Sequence, residues 1–204
     1  MLGVSANVLI DDCSDSYLVD RCLKGDSLRD SFASRTCFRH LYQRYQHKVR
    51  STLYQLCGSS LLDDLTQEVF LRVWKGLPKL KQQENFSTWL YRITWNVASD
   101  QRKAFAKQHS FDSQLKNQET MDSVIPNNNT SGLMQLHYQD LVQRGLEQLS
   151  FEHRTVLVLH DLEDIPQKEV AQILGLPAGT VKSRVFYARN AMRQFLQKQG
   201  VDEL

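Results

Sequence analysis

Lys182, Ser183 and Arg184, with Tyr187 one turn later, are the side chains of this sequence best suited to reading a nucleic acid. A hydroxyl between two cations, and a phenol beyond them, can hydrogen-bond base edges and phosphate oxygens. They act together only if one helix presents them. Val181, Val185 and Ala188 recur at i, i+4 and i+7 as a buried line, which turns the four polar side chains largely outward. From Ala178 to Lys198 there are five cations and no acid, whereas residues 138–177 hold three cations and seven acids. The whole chain is only +2 at pH 7. Positive charge is therefore concentrated on this segment, as binding to a phosphate backbone requires.

A second, shorter helix must carry the first. Asp164, with Gln167 three residues on, predicts a capping box over a helix running to Leu174. Pro166 suits its first turn, and Val170, Ile173 and Leu174 give it an apolar stripe. Gly175 can take the left-handed conformation that ends helices, and Pro177 restarts the chain. Two helices joined by a tight glycine-containing turn, the second one basic, predict a helix-turn-helix whose second helix enters the major groove. A solvated basic surface helix is the plainer alternative; the turn chemistry counts against it.

Upstream lie three more predicted helices. The first runs from about Cys37 to Leu56, with Phe38, Leu41, Tyr45, Val49, Leu53 and Leu56 on one face. The second starts with a capping box at Ser60 and runs to Lys75. It buries Leu62, Leu65, Val69 and Val73, with Phe70 and Trp74 alongside, opposite a polar face of Asp63, Asp64, Gln67, Glu68, Leu71 and Arg72. The third, Ser87 to roughly Lys103, turns Leu90, Ile93 and Val97 inward. Arg92, Asn96, Ser99 and Lys103 form one outer row, and Tyr91, Trp95 and Arg102 lie beside it. Rings interleaved with cations and amides suit single-stranded nucleic acid, where bases stack and cations follow the backbone. Packing of Trp89, Tyr91 and Trp95 against neighbouring helices explains the same spacing equally well.

Composition sets the outer bounds. With 204 residues, 41% hydrophobic and 24% charged, the chain reads as soluble and globular, with room for one sizeable core or two small ones. No apolar run is long enough to span a membrane and the N-terminus has no secretion-signal pattern, so a cytoplasmic protein without membrane insertion is expected. Cys13, Cys22, Cys37 and Cys57 show no C-x-x-C spacing and read as small buried residues. The six histidines are scattered, and no H-E-x-x-H, P-loop or G-x-G-x-x-G motif occurs. No catalytic residue, metal or cofactor is expected. A nucleic-acid enzyme would have to use Asp63 and Asp64, which look instead like a helix start.

After Ala106 the sequence turns polar and aperiodic, which predicts a flexible linker over residues 107–132. The expected fold is all-α: a helical domain at 1–106 and a helix-turn-helix domain at 133–204.

Three segments, in this order, resemble the extracytoplasmic-function (ECF) group of the bacterial sigma-70 family. They are Asp-Asp-Leu-Thr-Gln-Glu-Val-Phe-Leu-Arg-Val-Trp (63–74), Phe-Ser-Thr-Trp-Leu-Tyr-Arg-Ile-Thr-Trp-Asn-Val-Ala (86–98) and Gly-Leu-Pro-Ala-Gly-Thr-Val-Lys-Ser-Arg-Val (175–185). The resemblance implies that Asp64, Gln67, Glu68, Leu71 and Arg72 dock on the clamp helices of the large subunit of core RNA polymerase. It implies capture of the −10 promoter strand by Leu80, Lys81, Phe86, Tyr91, Arg92, Trp95, Asn96, Ser99, Arg102 and Lys103, with a flipped base held near the 79–86 loop. It further implies that Thr180, Lys182, Ser183, Arg184, Tyr187 and Arg189, with His160, read the −35 element as duplex. Core polymerase, promoter DNA and an anti-sigma protein are the implied partners, and the free chain is expected to be a monomer. His160, Tyr187 and Leu80 depart from residues common at these positions, which bears on promoter sequence rather than role. A self-sufficient repressor or activator working through residues 164–198 alone is the alternative from another class; it would bind its site unaided, usually as a dimer.

Overall fold

The structure, a computed structural model, describes residues 13–24, 30–80, 85–112 and 130–201. Its α-helices are α1 (Asp15–Leu23), α2 (Asp30–Cys57), α3 (Leu62–Gly76), α4 (Phe86–Asp112), α5 (Thr130–Gln148), α6 (Phe151–Leu157), α7 (Gln167–Leu174) and α8 (Ala178–Lys198). A 3-10 turn follows α3 at Leu77–Lys79 and a π-helical turn follows α6 at Val158–Leu162. No strand occurs among the described residues, in keeping with the all-α expectation. The chain forms two compact units, Met1–Ala98 with Gln172–Gly175, and Ser99–Ala171 with Leu176–Leu204.

Helix takes up both ends of the predicted linker. α4 continues through Ala106 to Asp112, and α5 begins at Thr130; residues 113–129 lie outside the described residues. Loss of apolar periodicity marks where burial stops, and an exposed stretch rich in Ala, Lys and Gln can stay helical well beyond that point.

In the first unit, α1 was not foreseen, although Ser14 and the spacing of Leu18, Val19 and Cys22 encode it. The Ser14 hydroxyl accepts the Tyr17 N–H at 3.3 Å, and the three apolar side chains are buried. Asp15 fastens the helix to α2, accepting from Arg44 Nη1 at 2.6 Å and from the Tyr45 hydroxyl. Ser34 Oγ donates to the Cys22 carbonyl at 2.7 Å. Desolvation, with Cys37 nearby, pushes the Cys22 thiol up to about 12.

α2 is longer than predicted, starting at Asp30, and buries Cys37, Leu41, Tyr45, Val49, Leu53 and Leu56. Against it pack Leu62, Leu65, Val69, Phe70 and Val73 of α3, each worth about 1.5–3 kcal/mol when fully removed from water. The capping box expected at Ser60 is not what starts α3. Leu61 takes a left-handed backbone (φ 58°) and its carbonyl receives the Leu65 N–H at 2.8 Å. Trp74, expected beside the buried stripe, is 41% exposed, because it sits about 100° round the helix from Val73.

In the second unit, Leu141, Leu146, Val156, Leu159, Val181, Val185, Ala188 and Leu196 are buried. Arg154, itself buried, donates from Nε to the Leu146 carbonyl at 2.7 Å and so closes the C-terminal end of α5. α7 lacks its predicted start too: Asp164 has a left-handed backbone (φ 54°), and the Pro166 carbonyl accepts the first helical N–H groups, of Glu169 and Val170. The end of α7 is as predicted. Gly175 has φ 65°, the Leu176 N–H returns to the Ala171 carbonyl at 3.0 Å, and α8 begins just after Pro177.

Candidate polymerase and promoter interface

Asp64, Gln67, Glu68, Leu71 and Arg72 recur at i, i+3, i+4, i+7 and i+8, so they share the outer face of α3. Asp64, Gln67 and Leu71 are exposed; Glu68 and Arg72 are half-buried and joined by Arg72 Nε donating to Glu68 Oε1 at 2.7 Å. Beside this row, side chains of α2 and α3 line a hollow of about 530 Å³ that includes Tyr42, Phe70, Leu71 and Trp74. The rings around it are paired, Phe38 edge-on to Trp74 at 4.8 Å and Tyr42 tilted on Phe70 at 4.6 Å. Trp74 and Tyr42 are thus open aromatic surface next to the expected docking face, which the stripe reading missed.

The α4 residues divide. Arg92, Asn96 and Lys103 are exposed and Ser99 half-buried along one row, with Arg102 exposed and Trp95 half-buried beside it. Phe86 and Tyr91 do not join them. Phe86 is fully buried with its ring 5.5 Å from that of Tyr45, and Tyr91 is only 6% exposed. The buried stripe is Leu90, Tyr91, Thr94, Val97 and Ala98, broader than predicted and rotated away from Ile93, which leaves these two rings as core rather than open stacking platforms. Leu80 is half-buried and Lys81 lies outside the described residues. Trp89, which the sequence left undecided, lies with Lys79, Leu80, Asn85, Thr88 and Arg92 around one shallow hollow. A Cβ at Gly76 would stand 2.9 Å from the Trp89 ring, so this glycine leaves room for the indole at that edge.

α8 presents Lys182, Ser183 and Tyr187 to solvent. Ser183 Oγ donates to the Thr180 carbonyl at 3.0 Å, and Thr180 is half-buried. Phe186, which the sequence reading passed over, is 60% exposed next to Tyr187 at 61%, their rings edge to face at 5.5 Å. Its place between Ser183 and Asn190 on the outward side of the helix was the available signal. The remaining expected contacts are engaged within the chain. Arg184 pairs with Glu152 at 2.7 Å, and Arg189 with Asp161 through two hydrogen bonds of 2.8 and 2.6 Å. His160 is half-buried. Its Nδ1–H donates to the Ile165 carbonyl at 2.8 Å, which leaves Nε2 to accept from Gln167 at 3.3 Å. It braces the turn into α7.

An open polar row on one helix and a helix-turn-helix with a cationic second helix define a DNA-binding helical protein. Comparison with known proteins narrows the class. The Sigma-70 region 2 model matches residues 41–108 and the Sigma-70, region 4 model residues 139–192. The ECF RNA polymerase sigma-E factor of Escherichia coli (strain K12) is 31% identical over 189 residues, covering 90% of this chain and 95% of that one. The ECF RNA polymerase sigma factor SigW of Bacillus subtilis (strain 168) is 28% identical over 183 residues, covering 85% and 92%. Among solved structures, the sigma factor RpoE in complex with the anti-sigma factor NepR from Bartonella quintana has the same fold, with a TM-score of 0.66 at 22% identity, covering 81% of this chain and 98% of that one. The chain belongs to the ECF group of the sigma-70 family. It is an alternative sigma factor, directing transcription by RNA polymerase. No described helix is long and apolar enough to cross a membrane.

Proposed function

We propose that the two units divide promoter recognition between them. The α3 face of Asp64, Gln67, Glu68, Leu71 and Arg72 docks on the clamp helices of the polymerase large subunit. The α4 row of Arg92, Asn96, Ser99 and Lys103, with Trp95 beside it, captures the −10 strand as the duplex parts. α8 reads the −35 element from Lys182, Ser183 and Tyr187. The chain carries no chemistry of its own, works in the cytoplasm and is a monomer when free. An anti-sigma protein is a further partner, in line with the complexes in which related folds were solved.

The observation that carries this reading is the separation of faces on α3 and α4. Both helices bury mainly apolar stripes, and each leaves outside a row of side chains suited to a different partner. A repressor acting through its helix-turn-helix alone has no use for either row.

Co-migration of the purified protein with bacterial core RNA polymerase on a sizing column tests the docking step without knowledge of the promoter. A stoichiometric complex is expected. No complex, in the absence of any inhibitor, would sink the reading and favour an independent helix-turn-helix regulator.

A further inference from the structure

The cations of α8 are not equally available to a DNA backbone. On one flank, Arg184 is held by the Glu152 carboxylate of α6 at 2.7 Å, and its side chain is only 24% exposed. On the other flank, both carboxylate oxygens of Asp161 are taken by Arg189, through Nε at 2.8 Å and Nη2 at 2.6 Å. Asp161 stands on the π-helical turn, where His160 is fixed by Ile165 and Gln167. α8 has no acid of its own, so both neutralising groups come from the elements that precede it. Lys182 and Arg193 remain exposed.

We propose that Glu152 and Asp161 are specificity-determining residues, which hold Arg184 and Arg189 in internal pairs and so keep them from binding DNA phosphates indiscriminately. The proposal rests on the reading of α8 as the −35 reader. Affinity for any duplex grows with each phosphate neutralised, and each such contact makes it fall as about the 0.9 power of salt concentration. Withholding one cation therefore weakens non-specific binding by up to about eightfold at 0.1 M salt. Base readout by the outward row is untouched, so the ratio of specific to non-specific affinity rises, and that ratio is what selects a promoter among many competing sites. Stability is a poor explanation for the Glu152–Arg184 pair, because Glu152 is 65% exposed and such pairs contribute little to folding.

The test is a double-mutant cycle on the holoenzyme, formed with bacterial core polymerase, using a duplex selected from a random pool by the wild-type holoenzyme and a shuffled version of it. Glu152→Gln is expected to tighten binding to the shuffled duplex by up to about fivefold at 0.1 M salt, the most an exposed pair can withhold, and to steepen its salt dependence by up to about 0.9. The selected duplex gains less. In an Arg184→Gln background the same change should add nothing. Asp161→Asn with Arg189→Gln forms the matching cycle on the other flank. If the gain persists without the arginine, removal of an acid explains it and the proposal fails. If Glu152→Gln and Asp161→Asn leave the shuffled duplex unaffected or weaken both duplexes, the pairs position the arginines for DNA and the proposal is again overturned. A wild-type holoenzyme that enriches no sequence overturns the reading of α8 itself, and the proposal with it.

Discussion

Gly145 on α5 and Met192 on α8 meet so closely that a Cβ at position 145 would stand 2.5 Å from Met192 Sδ and 2.9 Å from the Phe195 ring. This contact sets how near α8 lies to the helix that supports it. Alanine in a helix interior ordinarily gains up to about 1 kcal/mol over glycine. At Gly145 overpacking reverses that gain, and Gly145→Ala should cost about 1 kcal/mol net, lowering the thermal midpoint by several degrees. Gly179, with open space around its Cβ position, is the control, since Gly179→Ala should not lower the midpoint. Equal midpoints for both variants would show that the contact gives way.

The Glu68–Arg72 pair lets docking be separated from folding. Exchanging the two residues, Glu68→Arg with Arg72→Glu, keeps an ion pair one turn apart on α3 but inverts the charges a partner meets. Thermal stability should hold while co-migration with core polymerase is lost. A swapped protein that still forms the complex would remove this face from the interface.

Trp95, Asn96 and Tyr91 should behave differently although all three lie on α4. Trp95→Ala and Asn96→Ala are expected to weaken promoter opening and spare polymerase binding, Trp95 by about 5- to 150-fold if it stacks one base. Tyr91→Ala removes a buried ring and should cost about 3 kcal/mol of stability. Opening assays paired with thermal melts decide; Trp95→Ala and Tyr91→Ala falling together in both would mean that Trp95 too is only structural.

Lys182 is exposed on the outward side of α8. Lys182→Ala should reduce the salt slope of holoenzyme binding to promoter duplex by about 1, one phosphate contact's worth. An unchanged slope would place this ammonium away from the backbone.

Cys22 supplies a chemical check on the seating of α1. Burial pushes its thiol up to about 12, so at pH 8 it stays protonated and should react with a thiol reagent far more slowly than in the denatured chain. Because the raised pKa belongs to the folded state, the associated stability is complete below about pH 9 and falls away as pH rises toward 12. Labelling of Cys22 at the denatured-chain rate would mean that α1 does not stay packed on α2.

Much of this architecture is legible in local pattern. The buried lines of α2 and α3, the Gly175 turn, and the separation of Lys182 and Ser183 from Val181 and Val185 all follow from helical periodicity and from one residue that takes positive φ at little cost. The helix starts were harder. Ser60 and Asp164 each satisfy a capping-box pattern, yet Leu61 and Asp164 adopt left-handed backbone there, because the entry angle of a helix is set by what it packs against. The rings were harder still. Phe86, Tyr91 and Trp74 differ in burial through the neighbours that reach them, Tyr45 for Phe86 and an open hollow for Trp74, and spacing along one helix does not contain those neighbours.

By itself, then, the sequence determined the helical class, the helix-turn-helix, the concentration of positive charge on residues 178–198 and the family motifs, since each is written within a few turns of chain. Only the tertiary structure decided which of those charges are met by an acid from elsewhere in the chain. Arg189 is met by Asp161 from 28 residues earlier, and Arg184 by Glu152 on a helix that comes before the whole helix-turn-helix. An ion pair depends on distance through space, falling off within a few ångströms, and no count of charges along a chain reports that distance.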